Sequence, residues 1–348
     1  MQLNYTKDLM RQKKQNRDFD SYAVLVGLGG EEALLTSANT NEETYFDIAS
    51  MGKVLVTSSL LLQALSDGLL HLDDTLPRFF DNVPAEKQEI TIKQLMTHTS
   101  GILRYNIPKE VTIHNNDYIA ADVLSKPLGF APGSNYTYSC TGFLLLGFIL
   151  EKLYSRTLDE LFYTRLKAPM GYTRSRFNIA VDEPNAALCC RRELVLTNMI
   201  DDEIVTNMRG AVAGNGGEFW GLCDIRRYVQ AVLRYDETLY GKEWFSLAEQ
   251  NYTPHFAEGR GLGYLVVDEK YPQTGRLFPV GSFGHCGHCG QSFFINREKQ
   301  LYVIILTNAT RFANMKNNFK GYNYGDVMQM RADIHNAIHA DLTEANLL

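Results

Sequence analysis

The stretch FGHCGHCGQSFFINREKQLYVIILTN, residues 283–308, decides how the rest of the chain is interpreted. Its second half places apolar runs on either side of a polar turn around Asn296 and Arg297, which is typical of a β-hairpin. Its first half, GHCGHCG, lies on or next to a strand, and the glycines allow another backbone or a ligand to approach closely. The C-terminal part of the chain therefore predicts strands of a sheet.

The N-terminal part carries strand signals as well. YAVLVGLGG (22–30) and EEALLTSANT (31–40) predict two strands joined by a Gly-Gly turn. Helical patterns dominate from about residue 90 to residue 250, and they also cover residues 4–16 and the end of the chain. We predict an α+β fold, in which an antiparallel sheet is built from both chain ends, flanked by terminal helices, and interrupted by a mostly helical lobe.

The lobes are expected to form one unit over residues 1–348, because no Pro/Gly/Ser-rich linker separates them. Residues 1–75 and 255–348 would form the α/β lobe, and residues 76–254 would form the inserted helical lobe. A cleft between two lobes is a common place for an active site.

Composition and charge narrow the function classes. The formal net charge of -6 argues against a general nucleic-acid binder, which usually carries basic patches. Six cysteines are too few for a disulfide scaffold, so we interpret them as reduced thiols. The polar N-terminus has no apolar signal region, and the longest apolar run, residues 142–150, is too short to span a bilayer. We expect a cytoplasmic protein without nucleic-acid or membrane partners, and the oligomeric state stays open.

Two stretches carry residues suited to acyl transfer. Ser50 opens the long apolar helix, and Lys53 lies one turn further on the same face, where its amine can activate the serine. The plainer alternative is that Ser50 only caps the helix. Tyr138 follows a Pro-Gly turn and precedes another apolar helix, so it can face a cleft and act as a general base. The plainer alternative is that Tyr138 only packs against other side chains.

The four residues His285, Cys286, His288 and Cys289 resemble a metal or redox site in composition. All four lie within five positions near a strand, where side chains alternate between faces, so they do not converge on a tetrahedron. A redox C-x-x-C pair usually begins a helix in a βαβ unit, which is not the setting here. We therefore predict no metal and no cofactor. A Ser-His-Asp hydrolase is disfavoured because no G-x-S-x-G elbow is present, and we interpret His98 as a satisfied structural histidine.

These candidates, in this order and spacing, resemble the serine β-lactamase and penicillin-binding-protein superfamily, with its S-x-x-K and K-T-G signatures. The similarity is greatest to the class C β-lactamase-like branch, which includes cytosolic esterases and D-aminopeptidases. It covers roughly residues 20 to 310. The matching stretches are the Ser50–Lys53 motif, QLMTHTSGI (94–102), YSCTGFLLLGFILEK (138–152), DDEIVTNMRGAVAGNGGEFWGLCDI (201–225) and residues 283–308.

The resemblance implies a role for each matching residue. Ser50 would be the acylated nucleophile, Lys53 would help to deprotonate it, and Tyr138 would share the base role and protonate the leaving group. His285 stands where the family has Lys or His, and there it would polarise Tyr138 or bind a substrate carboxylate. The oxyanion hole would use the backbone N–H groups of Ser50 and of His288.

Two departures from the family pattern affect the expected substrate. Cys140 replaces the usual Asn that donates to a substrate amide, and a thiol is a weak donor. Cys286 replaces the usual Thr or Ser in the triplet that ends at Gly287. The thiols of Cys140 and Cys286 would then both lie near the cleft. The expected function is therefore a serine hydrolase that forms an acyl-enzyme on Ser50 and cleaves small carboxylic esters. The alternatives are a β-lactamase, a D-Ala-D-Ala-type peptidase or amidase acting on a small amide, and a non-catalytic penicillin-binding-like protein.

Overall fold

The computed structural model describes residues 1–112, 115–180, 182–188, 212–270, 273–310 and 323–348. Its strands, numbered along the chain, are β1 Tyr22–Leu28, β2 Glu31–Thr36, β3 Phe46–Asp47, β4 Ser175–Phe177, β5 Glu218–Trp220, β6 Gly259–Arg260, β7 Leu265–Val266, β8 Phe283–Cys286, β9 Ser292–Asn296 and β10 Leu301–Thr307. Its α-helices are α1 Asn4–Gln15, α2 Ser59–Ser66, α3 Ile92–Met96, α4 Lys109–Thr112, α5 Asn116–Ser125, α6 Cys140–Tyr154, α7 Leu158–Leu161, α8 Ala168–Met170, α9 Leu222–Arg234, α10 Lys242–Glu249 and α11 Tyr324–Glu344.

Seven strands form the main sheet in the order β2-β1-β10-β9-β8-β7-β6, and every neighbouring pair is antiparallel. The two chain ends meet where β1 pairs with β10, from Tyr22 opposite Thr307 to Leu28 opposite Leu301. Gly29 and Gly30 form the turn between β1 and β2, both at positive φ, which glycine adopts without strain. The predicted α+β fold with a sheet built from both ends is confirmed.

The terminal helices cover one face of this sheet, and their contact begins at a cap. Asp341 of α11 accepts hydrogen bonds from the backbone N–H groups of Tyr5 and Thr6, at 2.8 and 2.9 Å. A carboxylate there satisfies donors that the first turn of α1 leaves open. Alternate residues of β1, such as Val24 and Val26, pack into the core on this side.

The opposite face of the sheet packs against the helical segment. Ala23 and Leu25 of β1 and Phe293 of β9 join a large apolar core with α2, α6 and α9. A second, three-stranded sheet in the order β3-β5-β4 connects this segment to the residues just before Ser50. The exact lobe boundaries at residues 75 and 254 stay a prediction.

Candidate active site

Ser50 lies on a tight turn that enters a long helix. The turn Ala49–Met51 is a 3-10 helix, and Ala49 has a φ of 47°, a left-handed conformation that is uncommon for alanine. The buried carboxylate of Asp47 accepts a hydrogen bond from the Ala49 N–H at 2.8 Å and holds this turn. Ser50 is partly exposed although its neighbours are buried, so its hydroxyl is presented to a ligand.

Lys53 is fully buried and bonded to the serine. Its Nζ donates to Ser50 Oγ at 2.9 Å and to the backbone carbonyl of Asn215 at 2.6 Å. It begins a π-helical turn, Lys53–Ser58, which widens the helix before α2, and such turns are frequent at functional sites. The amine is therefore held in fixed contact with the serine oxygen.

Tyr138 brings a phenol to the same pair. Its hydroxyl is buried and makes no well-formed hydrogen bond to any residue that the structure describes. Lys53 Nζ lies 5.3 Å from the centre of its ring. Burial raises the pKa of Tyr138, the Cys140 thiol adds to this rise, and the Lys53 charge and the nearby Ser50 hydroxyl oppose it. The side chain is a neutral phenol near pH 7.

His285 on β8 is buried beside Tyr138, and the two ring centres are 6.3 Å apart. Its Nδ1 lies 2.9 Å from the Cys286 carbonyl, which can only accept, so Nδ1 carries the proton and Nε2 is an acceptor. Within the described parts of the chain, Nε2 has no partner. Burial, together with the charges of Arg260 and Lys53, holds the pKa of His285 well below its ordinary value. It is therefore a neutral acceptor and cannot attract a substrate carboxylate by charge.

The end of β8 touches the nucleophile turn at Gly287. A Cβ at this position would lie 2.7 Å from the Ile48 carbonyl oxygen and 3.2 Å from Ala49 Cβ, so only glycine permits this approach. The Gly287 N–H donates to the carbonyl of Gln291 at 2.8 Å and forms the turn after the strand. His288 follows, half-buried, with Nε2 3.4 Å from the Cys289 sulfur. The strand end and the Ser50 turn are thus adjacent, as the predicted oxyanion hole requires.

The two replaced positions differ in where they lie. Cys140 is the first residue of α6, behind the cap Ser139, and it is buried close enough to Tyr138 to influence its pKa. Cys286 packs with the apolar core under the terminal helices, on the opposite face of the sheet from His285. The expectation of two thiols near the cleft is therefore wrong, because adjacent residues of a strand point to opposite faces.

His98 was not expected at the site. Its ring packs against that of Tyr138, with centres 4.5 Å apart and the planes tilted by 40°, and its Nδ1 accepts the Ser139 N–H at 3.1 Å. Nε2 consequently carries the proton, and it is buried without a partner among the residues with described positions. The prediction of a satisfied structural histidine is wrong on this point. Burial and the charges of Arg260 and Lys53 lower the pKa of His98 well below its ordinary value.

Arg260 on β6 is a second residue that the sequence did not reveal. The buried guanidinium lies 5.3 Å from the Tyr138 ring centre and 5.4 Å from that of Tyr136. It donates to the Tyr136 hydroxyl at 2.8 Å and forms an ion pair with Glu258. The only available signal was its place just before the strand residues GLGYLVV, and no motif marks it.

The described residues give no sign of a metal site or of a membrane-spanning helix. They contain no group of three or more His, Cys, Asp or Glu side chains arranged to hold a metal ion. None of the described helices is long and apolar enough to cross a membrane. The cytoplasmic location stays a prediction. Residues 201–211 of the stretch 201–225, which carries part of the resemblance, lie outside the described residues. Cys189 and Cys190 lie outside them as well.

The chain is similar to known proteins over most of its length. A family model described as Beta-lactamase matches residues 6–320. A curated protein of Escherichia coli (strain K12), named "Putative D-alanyl-D-alanine carboxypeptidase", is 26% identical over 309 residues, or 76% of this chain and 69% of that protein.

Solved structures show the same fold. A class C beta-lactamase in complex with cefoxitin has a TM-score of 0.76 at 18% identity, covering 96% of this chain and 98% of that chain. EstCE1, described as a hydrolase with promiscuous acyltransferase activity, has a TM-score of 0.73 at 20% identity, covering 95% and 97%.

Proposed function

Because the chain belongs to the beta-lactamase family, a group of serine hydrolases of β-lactamase, peptidase and esterase type, we propose that it hydrolyses small carboxylic esters through an acyl-enzyme on Ser50. The observation that carries this proposal is the 2.9 Å hydrogen bond from Lys53 Nζ to Ser50 Oγ, next to the buried phenol of Tyr138. A nucleophile, an amine and a second proton carrier in contact are the parts that acyl transfer needs.

In the first step, Ser50 Oγ attacks the ester carbonyl carbon, and its proton passes to the neutral amine of Lys53, because the Tyr138 phenol already holds its own proton. The second hydrogen bond of Lys53, to the Asn215 carbonyl, holds the amine in place while the proton moves. The carbonyl oxygen becomes an oxyanion, which the N–H groups of Ser50 and His288 stabilise. The close contact of Gly287 with the nucleophile turn supports this pairing of donors.

In the second step, the bond to the leaving oxygen breaks and Tyr138 protonates it. A phenol suits this role because burial raises its pKa, so the proton is present near neutral pH. Water then attacks the acyl group by the same route in reverse, and the carboxylic acid leaves Ser50. An alcohol in place of water would give a new ester.

The neutral form of His285 supports esters over carboxylate-bearing substrates. A buried acceptor nitrogen can receive a hydrogen bond from a substrate hydroxyl or N–H, but it supplies no positive charge. Cys140, where a carboxamide donor is usual, offers only a weak donor to an amide. Ester cleavage needs neither a positive charge at His285 nor a strong amide donor at Cys140, so both features support an ester as the substrate.

The direct test is the hydrolysis of p-nitrophenyl acetate and butyrate by the wild type and by Ser50→Ala. The exposed Ser134 provides a matched control, Ser134→Ala, which removes a hydroxyl far along the chain from the turn. We expect activity in the wild type and the control but not in Ser50→Ala, with an acyl adduct on Ser50 seen by mass spectrometry. Equal rates in the wild type and Ser50→Ala would rule out the proposal.

A D-Ala-D-Ala-type peptidase is the second candidate, favoured by the name of the E. coli relative. A panel of esters, D-alanyl-D-alanine peptides and nitrocefin separates the two candidates, with Ser50→Ala as the control throughout. Ester turnover without release of D-alanine supports the esterase. Faster release of D-alanine than of nitrophenol would favour the peptidase.

A further inference from the structure

Arg331 of α11 is a fully buried arginine that reaches the active-site strand from the opposite side of the sheet. Its Nη2 donates to the carbonyl oxygen of Gly287, and its Nη1 donates to Gln273 Oε1. Both nitrogens lie 3.2 Å from the Tyr324 hydroxyl. A guanidinium is costly to bury, so its donors need oxygens placed to receive them.

The carbonyl that Arg331 binds belongs to the peptide unit that also carries the His288 N–H. This peptide bond is trans, as are all those that the structure describes, so the N–H points away from the carbonyl. The carbonyl faces α11, and the Cα of Gly287 lies against Ile48 and Ala49 of the nucleophile turn. Because Arg331 holds this carbonyl on the side of α11, the His288 N–H of the same peptide points away from α11.

We propose that Arg331 is a positioning residue of the oxyanion hole, which it orients from behind the sheet through the Gly287 carbonyl. The inference rests on the proposed function, in which the His288 N–H binds the oxyanion. The bond fixes the plane of the peptide, and a cation on the carbonyl oxygen polarises the unit and strengthens its N–H as a donor. The Gly290 N–H also donates to this carbonyl, at 3.3 Å, but it brings no charge.

Arg331→Met tests the proposal because it keeps much of the apolar stem and removes the donors. We expect kcat for p-nitrophenyl butyrate, per active site titrated, to fall by about 10- to 100-fold, less than the loss of a whole oxyanion donor. KM should change little, because the N–H acts mainly in the transition state. Arg331→Lys keeps the charge and one donor, so its kcat should lie between that of the wild type and that of Arg331→Met.

Tyr324→Phe provides the matched control for stability. It removes the hydroxyl oxygen of Tyr324 from the guanidinium and leaves the Gly287 carbonyl and Gln273 untouched. We expect a lower melting temperature with an unchanged kcat per titrated site. If Arg331 had only a structural role, Arg331→Met would behave like Tyr324→Phe: fewer molecules would be active, and kcat per titrated site would be unchanged.

Infrared spectra of the acyl-enzyme, labelled with carbon-13 at the acyl carbonyl, provide a readout of the oxyanion hole itself. Weaker hydrogen bonds to that carbonyl shift its stretching band to higher frequency, so we expect this shift in Arg331→Met and, to a smaller extent, in Arg331→Lys. An unshifted band and unchanged kcat in both variants would overturn the inference while leaving the proposed function intact. Failure of the wild type to acylate Ser50 would overturn both.

Discussion

Replacing His335 by asparagine should make the fold less sensitive to acid. His335 is fully buried on α11, between the rings of Phe278 and Phe294, with centres 5.6 and 5.8 Å away. Its Nδ1 lies 3.0 Å from the carbonyl of Gln273, and the charge of Arg331 opposes protonation. An asparagine amide can donate to the same carbonyl, but it does not titrate.

The magnitude follows from the pKa. Burial lowers the pKa of His335 from 6.5 to about 4, so the unfolded chain binds the proton more tightly than the folded one. The stability from the neutral side chain is fully present above pH 6.5 and is lost as the pH falls toward 4. At pH 5 the loss amounts to about 2 kcal/mol, and it approaches about 3 kcal/mol below pH 4.

The measurement is urea unfolding near pH 7.5 and near pH 5. We expect the free energy of unfolding of His335→Asn to fall by about 2 kcal/mol less than that of the wild type between the two conditions. Any fixed cost of the asparagine appears at both pH values and cancels in this comparison. His255→Asn, at an exposed loop residue, is the matched control and should follow the wild type.

An equal loss in His335→Asn and the wild type would refute the reasoning, because it would mean that His335 does not gain a proton on unfolding. The wild type should lose more than the share of His335 alone. His98 and His285 are also buried with lowered pKa values, so they contribute with the same sign. Both remain in the variant, which is why only the difference between the proteins is informative.

Four further substitutions test the site. Tyr138→Phe should lower kcat for p-nitrophenyl esters by about 10²- to 10⁴-fold with an unchanged fold by circular dichroism, and a small effect would remove it from proton transfer. His98→Asn keeps an acceptor for the Ser139 N–H but loses the ring that packs against Tyr138, so kcat should fall about 10-fold; no change would make this ring contact irrelevant. Cys140→Asn should raise amide relative to ester turnover about 10-fold, and an unaltered ratio in a competition assay contradicts this. Gly287→Ala should lower kcat about 100-fold by pushing β8 from the nucleophile turn, which near-wild-type rates would exclude.

The sequence predicted the parts of the fold that depend on local pattern. β1 and β10 are apolar runs bounded by turn residues, β2 follows directly on the Gly-Gly turn, and the positions of all three agree with the predicted strands. The i, i+3 spacing of Ser50 and Lys53 placed both on one helix face, and the structure joins their side chains. The π-helical turn that follows could not be predicted, because its hydrogen bonding depends on tertiary contacts such as the one from Lys53 to the Asn215 carbonyl.

Other features depend on packing that no local pattern encodes. Arg260 lies on a strand of only two residues, and it meets Tyr138 because β6 forms the edge of the sheet. His98 reaches Tyr138 through a left-handed backbone conformation at φ 59°, which is uncommon for residues other than glycine and is not marked by any sequence pattern here. The side of Cys286 was predictable, since a strand that turns His285 toward the cleft must turn its neighbour away.

The charges around Tyr138 bear on the proposed choice of an ester as substrate. Arg260 places a cation 5.3 Å from the centre of the Tyr138 ring, and Lys53 places a second at the same distance once it has taken the Ser50 proton, while the flanking histidines His98 and His285 are neutral. Positive charge is therefore concentrated where Ser50 and Tyr138 exchange protons, and the strand that faces the substrate carries none at His285. Such a field stabilises negative charge that develops during acyl transfer and offers nothing at that strand to an anionic substrate group. A neutral ester needs the stabilised negative charge but no cation at that strand, so the charge pattern supports the proposed ester substrate independently of Cys140.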